Sequence, residues 1–213
     1  MRKKENIRLL FLLAAFALLN AVYFAVQRLF SPKFMVHVPL DDWIPFCEWF
    51  VIPYVLWYLY VFGGVVFFFF KEKASLVKMS EMIVAGMGIC LLIYMLFPNG
   101  IDFRPTVFPR DNPLTDLVGL LYQNDQPENV FPSIHVFNSM AVHFAVHRSS
   151  LLRRHRWVEW VSLVLVVLIC LSTVFIKQHS VVDVLGGAAL GFLLYPLIWR
   201  QGARRGTRRP KKD

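Results

Sequence analysis

The sequence predicts an all-α polytopic membrane protein, a single domain over residues 1–213 built as a six-helix bundle with both termini cytoplasmic. Three observations predict it. The composition is 57% hydrophobic and only 17% charged, which leaves too little polar surface for a water-exposed domain, whereas in a bilayer lipid is the solvent. Apolar runs close to the roughly 20 residues that cross a bilayer recur six times. The basic residues collect in the segments between those runs, where charge sets topology. That placement also turns the net charge of +9 away from nucleic acid, which is not an expected partner.

Met1-Arg2-Lys3-Lys4 opens the chain, and an apolar run covers residues 7–30. This run exceeds the about 7–15 residues of a signal-peptide core, so a retained first helix is expected in preference to a cleaved leader. A connection over 31–48 carries Pro32, Pro39, Pro45 and the pair Asp41-Asp42. The second helix, 50–70, is aromatic throughout, and its run Phe67 to Phe70 suits an interfacial belt. The third, 79–97, is stopped by Pro98-Asn99-Gly100. Residues 98–132 form the longest polar connection, and a loop of that length in a compact protein is usually functional or disordered. The fourth helix, 133–147, is followed by a basic run to Arg156, then by a fifth over 157–176 and a sixth over 180–199. Residues 200–213 form an Arg/Lys-rich tail that is expected to be disordered. Cys47, Cys90 and Cys170 make an odd count without CxxC spacing and read as packing residues.

Of the 23 Lys and Arg, all but Arg28, Lys33, Arg104, Arg110 and Lys177 fall in the two tails and the loops at 71–78 and 148–156. The positive-inside rule then puts both termini in the cytoplasm and places Arg104, Ser133, His135 and His179 together on the extracytoplasmic face of a plasma or cytoplasmic membrane.

Those residues carry the candidate chemistry. His179 and Asp183 are four apart at a helix start, so they share a face. Asp183 can fix the His179 tautomer and leave its other nitrogen free to attack, and the competing explanation is a structural His–Asp staple. Ser133 follows Pro132 as a helix N-cap, which alone accounts for it, but the same N-terminus can receive an anion while His135 protonates a leaving oxygen. Arg104, before Pro105, offers a planar donor fork that suits phosphate, although an exposed loop Arg is usually just solvated. Lys177, two residues before His179, is a second cation at that face.

Pro132-Ser133-Ile134-His135 and Ser172-Thr173-x5-His179-x3-Asp183 resemble the second and third motifs, P-S-G-H and S-R-x5-H-x3-D, of the phosphatidic acid phosphatase type 2 / haloperoxidase-like superfamily. Phe97-x6-Arg104-Pro105 resembles its first, K-x6-R-P, and the likeness covers roughly residues 80–195. The resemblance implies His179 as the nucleophile that is phosphorylated, His135 as general acid and Asp183 as the group that orients His179. It implies phosphate binding by Arg104, Ser133 and Ser172. Phe97, Ile134 and Thr173 stand where the family has Lys, Gly and Arg, so two expected phosphate-binding cations are missing, and Lys177 is expected to compensate in part. The substituted pattern is also similar to the inositol phosphorylceramide and sphingomyelin synthase branch.

The expected activity is hydrolysis of a phosphate ester on an amphiphilic lipid through a phosphohistidine, without metal or organic cofactor. The first alternative is a lipid phosphotransferase, and the second is a non-catalytic lipid-binding or transport protein, favoured by Phe97 and Thr173. The stretch His143-Phe144-Ala145-Val146-His147 has zincin spacing, but Phe144 occupies the place of the catalytic Glu, so packing or polar contacts are expected and a metal is not.

Overall fold

A computed structural model describes residues 2–199. Helix α1 (Arg2–Leu29) is followed by strand β1 (Phe34–Met35) and the short helix α2 (Pro39–Trp43). A 3-10 turn over Glu48–Phe50 leads into α3 (Val51–Lys71), and Glu72 alone separates α3 from α4 (Lys73–Leu96). Strand β2 (Asn99–Gly100) pairs parallel with β1, Phe34 opposite Asn99. Then come α5 (Pro113–Asn124), α6 (Ile134–Arg148), α7 (Arg156–Phe175) and α8 (Val181–Trp199).

Helices occupy all six expected stretches. Five segments are long and apolar enough to cross a membrane: Asn6–Leu29, Glu48–Lys71, Lys73–Leu96, Arg156–Phe175 and Val181–Trp199. Together with the near absence of strand, they make this an all-α polytopic membrane protein. The helix at the fourth expected span, α6, has 15 residues, about 22 Å at 1.5 Å per residue, short of the ~30 Å hydrocarbon core. Every residue from Val136 to Val142 is buried, so α6 is the central post of the bundle, packed on α3, α4, α7 and α8.

The structure adds what the loops conceal. Helix α4 begins at Lys73, because Lys73 to Lys78 continue the helix and are not a loop. The 98–132 connection contains α5, started by Pro113 at its first position and by the Asn112 side chain, which accepts from the amides of Leu114 and Thr115 at 2.9 and 3.1 Å. Buried Glu48 holds this region to the start of α3 by accepting from Arg110 at 2.6 and 2.7 Å and from Asn112 at 3.2 Å. The expected 200–213 tail lies outside the described residues.

Loops at one end of the bundle are knitted into a cap. The Lys33 amide donates to the Pro98 carbonyl, that of Cys47 to Phe175 and that of Ser133 to Asp183, which brings the ends of α1, α4 and α7 to the starts of α3, α6 and α8. At the other end Arg8 pairs with Glu81, and Lys78 reaches the Ile198 carbonyl at 3.0 Å, so α1 begins where α8 ends. Helix α8 crosses the start of α6 at Gly187, where a Cβ would stand 2.6 Å from the Ser133 carbonyl oxygen. Only glycine permits that approach.

Candidate active site

The turn between α7 and α8 sets His179. Thr173 closes it, its carbonyl accepting from the amides of both Gln178 and His179 at 2.8 and 3.0 Å. Lys177 takes a left-handed φ of 53°, a region costly for a residue with a Cβ. Its ammonium holds it there by donating to the carbonyls of Asp41 and Ile44, both at 2.6 Å. Burial draws the Lys177 amine below its ordinary value, with Asp41 and Asp42 pulling the other way. The cation expected at the phosphate is therefore spent on α2. Asp41 completes the anchor: its carboxylate accepts from the Ser180 hydroxyl at 2.6 Å and the Val181 amide at 2.9 Å, which caps α8.

Around that turn four of the expected residues converge. His179 Nδ1 lies 3.3 Å from Asp183 Oδ2, and His179 Nε2 lies 3.3 Å from His135 Nδ1. Asp183 is fully buried and is held in place by the Ser180 amide, which donates to the same Oδ2 at 2.8 Å. The Arg104 guanidinium donates to Gln178 Oε1 and to the Asp125 carbonyl, and stacks over the Tyr122 ring at 4.5 Å. Burial draws this guanidinium below its ordinary range, and Asp125 opposes the shift.

Two expected phosphate ligands are turned elsewhere. Ser172 is buried and donates to its own helix at the Ile169 carbonyl, 2.7 Å away. The Ser133 hydroxyl caps α6 through the Val136 amide at 3.4 Å. Of the substituted positions, Thr173 donates back to the Cys170 carbonyl, and Phe97 is exposed beside Phe34. His143 and His147 have separate partners, Ser162 at 3.0 Å and Glu159 at 2.7 Å, and no cluster of metal-ligating side chains occurs among the described residues.

Residues not singled out in the sequence complete the site. Tyr54, fully buried on α3, donates to Asp125 Oδ2 at 2.7 Å and lies 3.0 Å from His135 Nε2. A continuous chain results, Asp183–His179–His135–Tyr54–Asp125. A small pocket of about 30 Å³ is lined by His135, His179, Arg104, Gln178, Asn129, Asp125 and Glu128 among others. Arg104 Nε, Gln178 Nε2 and Asn129 Nδ2 are buried donors without partners. Three unpartnered N–H groups on one pocket suit an acceptor-rich ligand such as a phosphoryl group.

A larger cavity adjoins this pocket. A groove of about 410 Å³ shares Tyr23, Asp125, Ile134 and His135 with it and continues between α1, α3 and α4 past Leu12, Val61 and Met87. Its walls on α1 run from Gln27 to Leu9, a rise of about 27 Å and close to the depth of a hydrocarbon core. Helix α1 packs along α4, and Leu13, Phe24, Tyr58 and Phe69 on the groove walls are exposed. These exposed wall residues lie on α1 and α3.

A family model described as the PAP2 superfamily matches residues 76–207. No curated protein and no solved structure matches the chain.

Proposed function

Because the chain belongs to the PAP2 superfamily, a family of phosphoesterases and phosphotransferases, we propose that it hydrolyses a phosphate ester of an amphiphilic lipid through a phosphohistidine on His179. The observation that carries this reading is the adjacency of two cavities: a donor-lined pocket at the histidine pair shares His135, Asp125, Tyr23 and Ile134 with a largely apolar groove about as deep as a leaflet pair. The positive-inside charge pattern supports six spans, cytoplasmic termini and a site on the extracytoplasmic face of the plasma or cytoplasmic membrane.

Proton counting assigns the roles. The chain from Asp183 to Asp125 has four hydrogen bonds among five groups. With both carboxylates ionised, neutral His179, neutral His135 and Tyr54 supply three protons, so a fourth makes one imidazolium. Tyr54 donates to Asp125, so His135 Nε2–H donates to Tyr54, and His179 Nδ1–H donates to Asp183. The extra proton then lies between His179 Nε2 and His135 Nδ1. In-line transfer places nucleophile and departing oxygen on opposite sides of phosphorus, so the entering phosphoryl group parts the two rings. The proton stays on His135 Nδ1 as general acid, and the lone pair of His179 Nε2 becomes the nucleophile. As the N–P bond forms and the O–P bond breaks, His135 protonates the lipid alkoxide. Arg104, Gln178 and Asn129 hold the phosphoryl oxygens. Water, losing its proton to His135, then attacks phosphorus and releases phosphate from His179. Tyr54 and Asp125 act as positioning residues for His135, as Asp183 does for His179. No step calls on a metal or an organic cofactor.

One observation favours headgroup transfer as a second reading. Arg104 is the sole Lys or Arg among the described residues lining the small pocket, which also carries Asp125 and Glu128. That balance suits a singly charged phosphodiester better than a dianionic monoester. Purified protein incubated with labelled diacylglycerol phosphate, and separately with a labelled phospholipid with and without an acceptor alcohol, tests both. Free phosphate without acceptor identifies the hydrolase, and a new lipid formed only with acceptor identifies the transferase. His179→Ala is expected to lose on the order of 10³-fold or more of either activity; undiminished activity in that variant overturns the catalytic reading and leaves a lipid carrier.

A further inference from the structure

The groove is not uniformly apolar. Trp57 lies three residues beyond Tyr54 on α3, and Asn138 three residues beyond His135 on α6. Both helices run from the capped end of the bundle towards the other end, so this pair sits one layer inside the Tyr54–His135 pair, about 4.5 Å deeper at 1.5 Å per residue. Both residues line the groove, and the Trp57 ring packs on the His135 ring with centroids 4.4 Å apart. Asn138 is only 5% exposed. Yet its Oδ1 and the Nε1–H of Trp57 are buried without any hydrogen-bond partner. Buried polar groups are rarely left unpaired, and each one that is calls for an explanation. Farther along, the groove walls are mostly apolar, with Val61, Val65, Ile83 and Leu76; Asn20 and Ser80 also line it, but Asn20 donates to its own helix at the Phe16 carbonyl and neither carries a buried unpartnered group.

We propose that Trp57 and Asn138 form a linker subsite that recognises a carbonyl, as an ester or an amide, joining the phosphate-bearing carbon to the lipid chain. The inference rests on the lipid-phosphate reading of the histidine pocket and adds the determinant that selects among lipids. Indole Nε1–H is a donor only and requires an acceptor. Asn138 offers an acceptor and two donors, so it takes either a carbonyl or an amide N–H. In a glycerolipid or an N-acyl amino-alcohol phosphate, the carbonyl linker branches from the carbon next to the phosphate-bearing one, at the depth of this layer. An isoprenyl phosphate has only hydrocarbon there and leaves both groups unpaired. A site built to hydrogen-bond a substrate group discriminates against analogues that lack it.

The full-length protein in detergent micelles tests this with chain-matched phosphates of four kinds: ester-linked diacyl, amide-linked, ether-linked dialkyl and isoprenyl. The ether lipid keeps the shape of the ester and removes its carbonyl. The ester or the amide substrate is expected to exceed the ether and isoprenyl substrates in kcat/KM by about tenfold or more, and which of the two leads identifies the natural linker. Asn138→Leu and Trp57→Phe are each expected to bring the ratio of carbonyl to ether substrate roughly three- to tenfold closer to one, mainly through KM. Two variants on different helices guard against one of them failing to fold. Turnover of all four lipids at similar kcat/KM, or ratios unmoved in both variants, overturns the subsite and leaves the catalytic reading intact. Turnover of none of them, with a soluble phosphate ester cleaved instead, overturns the lipid reading and the subsite with it.

Discussion

Lys177 separates two accounts of one cation. If it binds phosphate, its removal weakens substrate binding; the structure instead uses it to hold the α7–α8 turn. The ammonium donates to two carbonyls at 2.6 Å each, and a hydrogen bond to a charged group contributes about 1.5–3 kcal/mol. Against this stands the cost of burying the ammonium, the same burial that draws the Lys177 amine below its ordinary value. Lys177→Met keeps the stem volume, removes both bonds and removes that cost, so the net loss is about 2–3 kcal/mol, near the strength of one such bond. For a chain of this length the loss lowers the melting temperature by roughly 5–10 °C. The assay is thermal unfolding in detergent beside lipid-phosphate kinetics well below the transition. The expected result is a lowered melting temperature with KM within about twofold of wild type. An unchanged melting temperature with KM raised tenfold or more would refute the anchor and restore Lys177 to the phosphate.

Three further outcomes follow from the geometry. Tyr54→Phe removes the group between Asp125 and His135 and is expected to lower kcat about 10- to 100-fold with little change in KM; Asp125→Asn added to it has less than its separate effect, because both act through one chain. Gly187→Ala places a methyl group against the Ser133 carbonyl and is expected to cost about 1–3 kcal/mol together with most activity, whereas Gly63→Ala, which meets nothing within 4 Å, is expected to be neutral or stabilising in the same melting assay. His37 lies 2.8 Å from Asp42 and 3.4 Å from Asp102, and the Asp42 hydrogen bond raises its pKa above 6.5. Its contribution to stability is therefore fully present below pH 6.5 and fades as pH rises through the raised folded value, and His37→Gln should flatten that part of the stability–pH curve.

Much of the helical architecture was legible because apolar run length is imposed by the bilayer itself. Helix α5 was hidden in a polar stretch, although Asn112-Pro113 is a readable cap and first-turn pair. Helix α6 is shorter and less apolar than the long helices around it; its burial at the bundle centre depends on which helices surround it, and sequence does not encode that locally. In the site, His135, His179 and Asp183 stood out through fixed spacing. Lys177 did not follow its neighbours, because the left-handed turn points its side chain towards α2. Tyr54 was one aromatic in an aromatic helix, and Asp125, Gln178 and Asn129 were polar residues in polar segments. They become meaningful only when tertiary packing sets them around the histidines and leaves three of the pocket donors unpaired.

The central claim is that phosphorus passes through His179. A substrate lipid made chiral at phosphorus with sulfur and oxygen isotopes, cleaved in isotopically labelled water, reports the number of displacements. Two in-line steps through a phosphohistidine give overall retention of configuration. Inversion would mean that water attacks the lipid phosphate directly, and it would contradict the role assigned to His179.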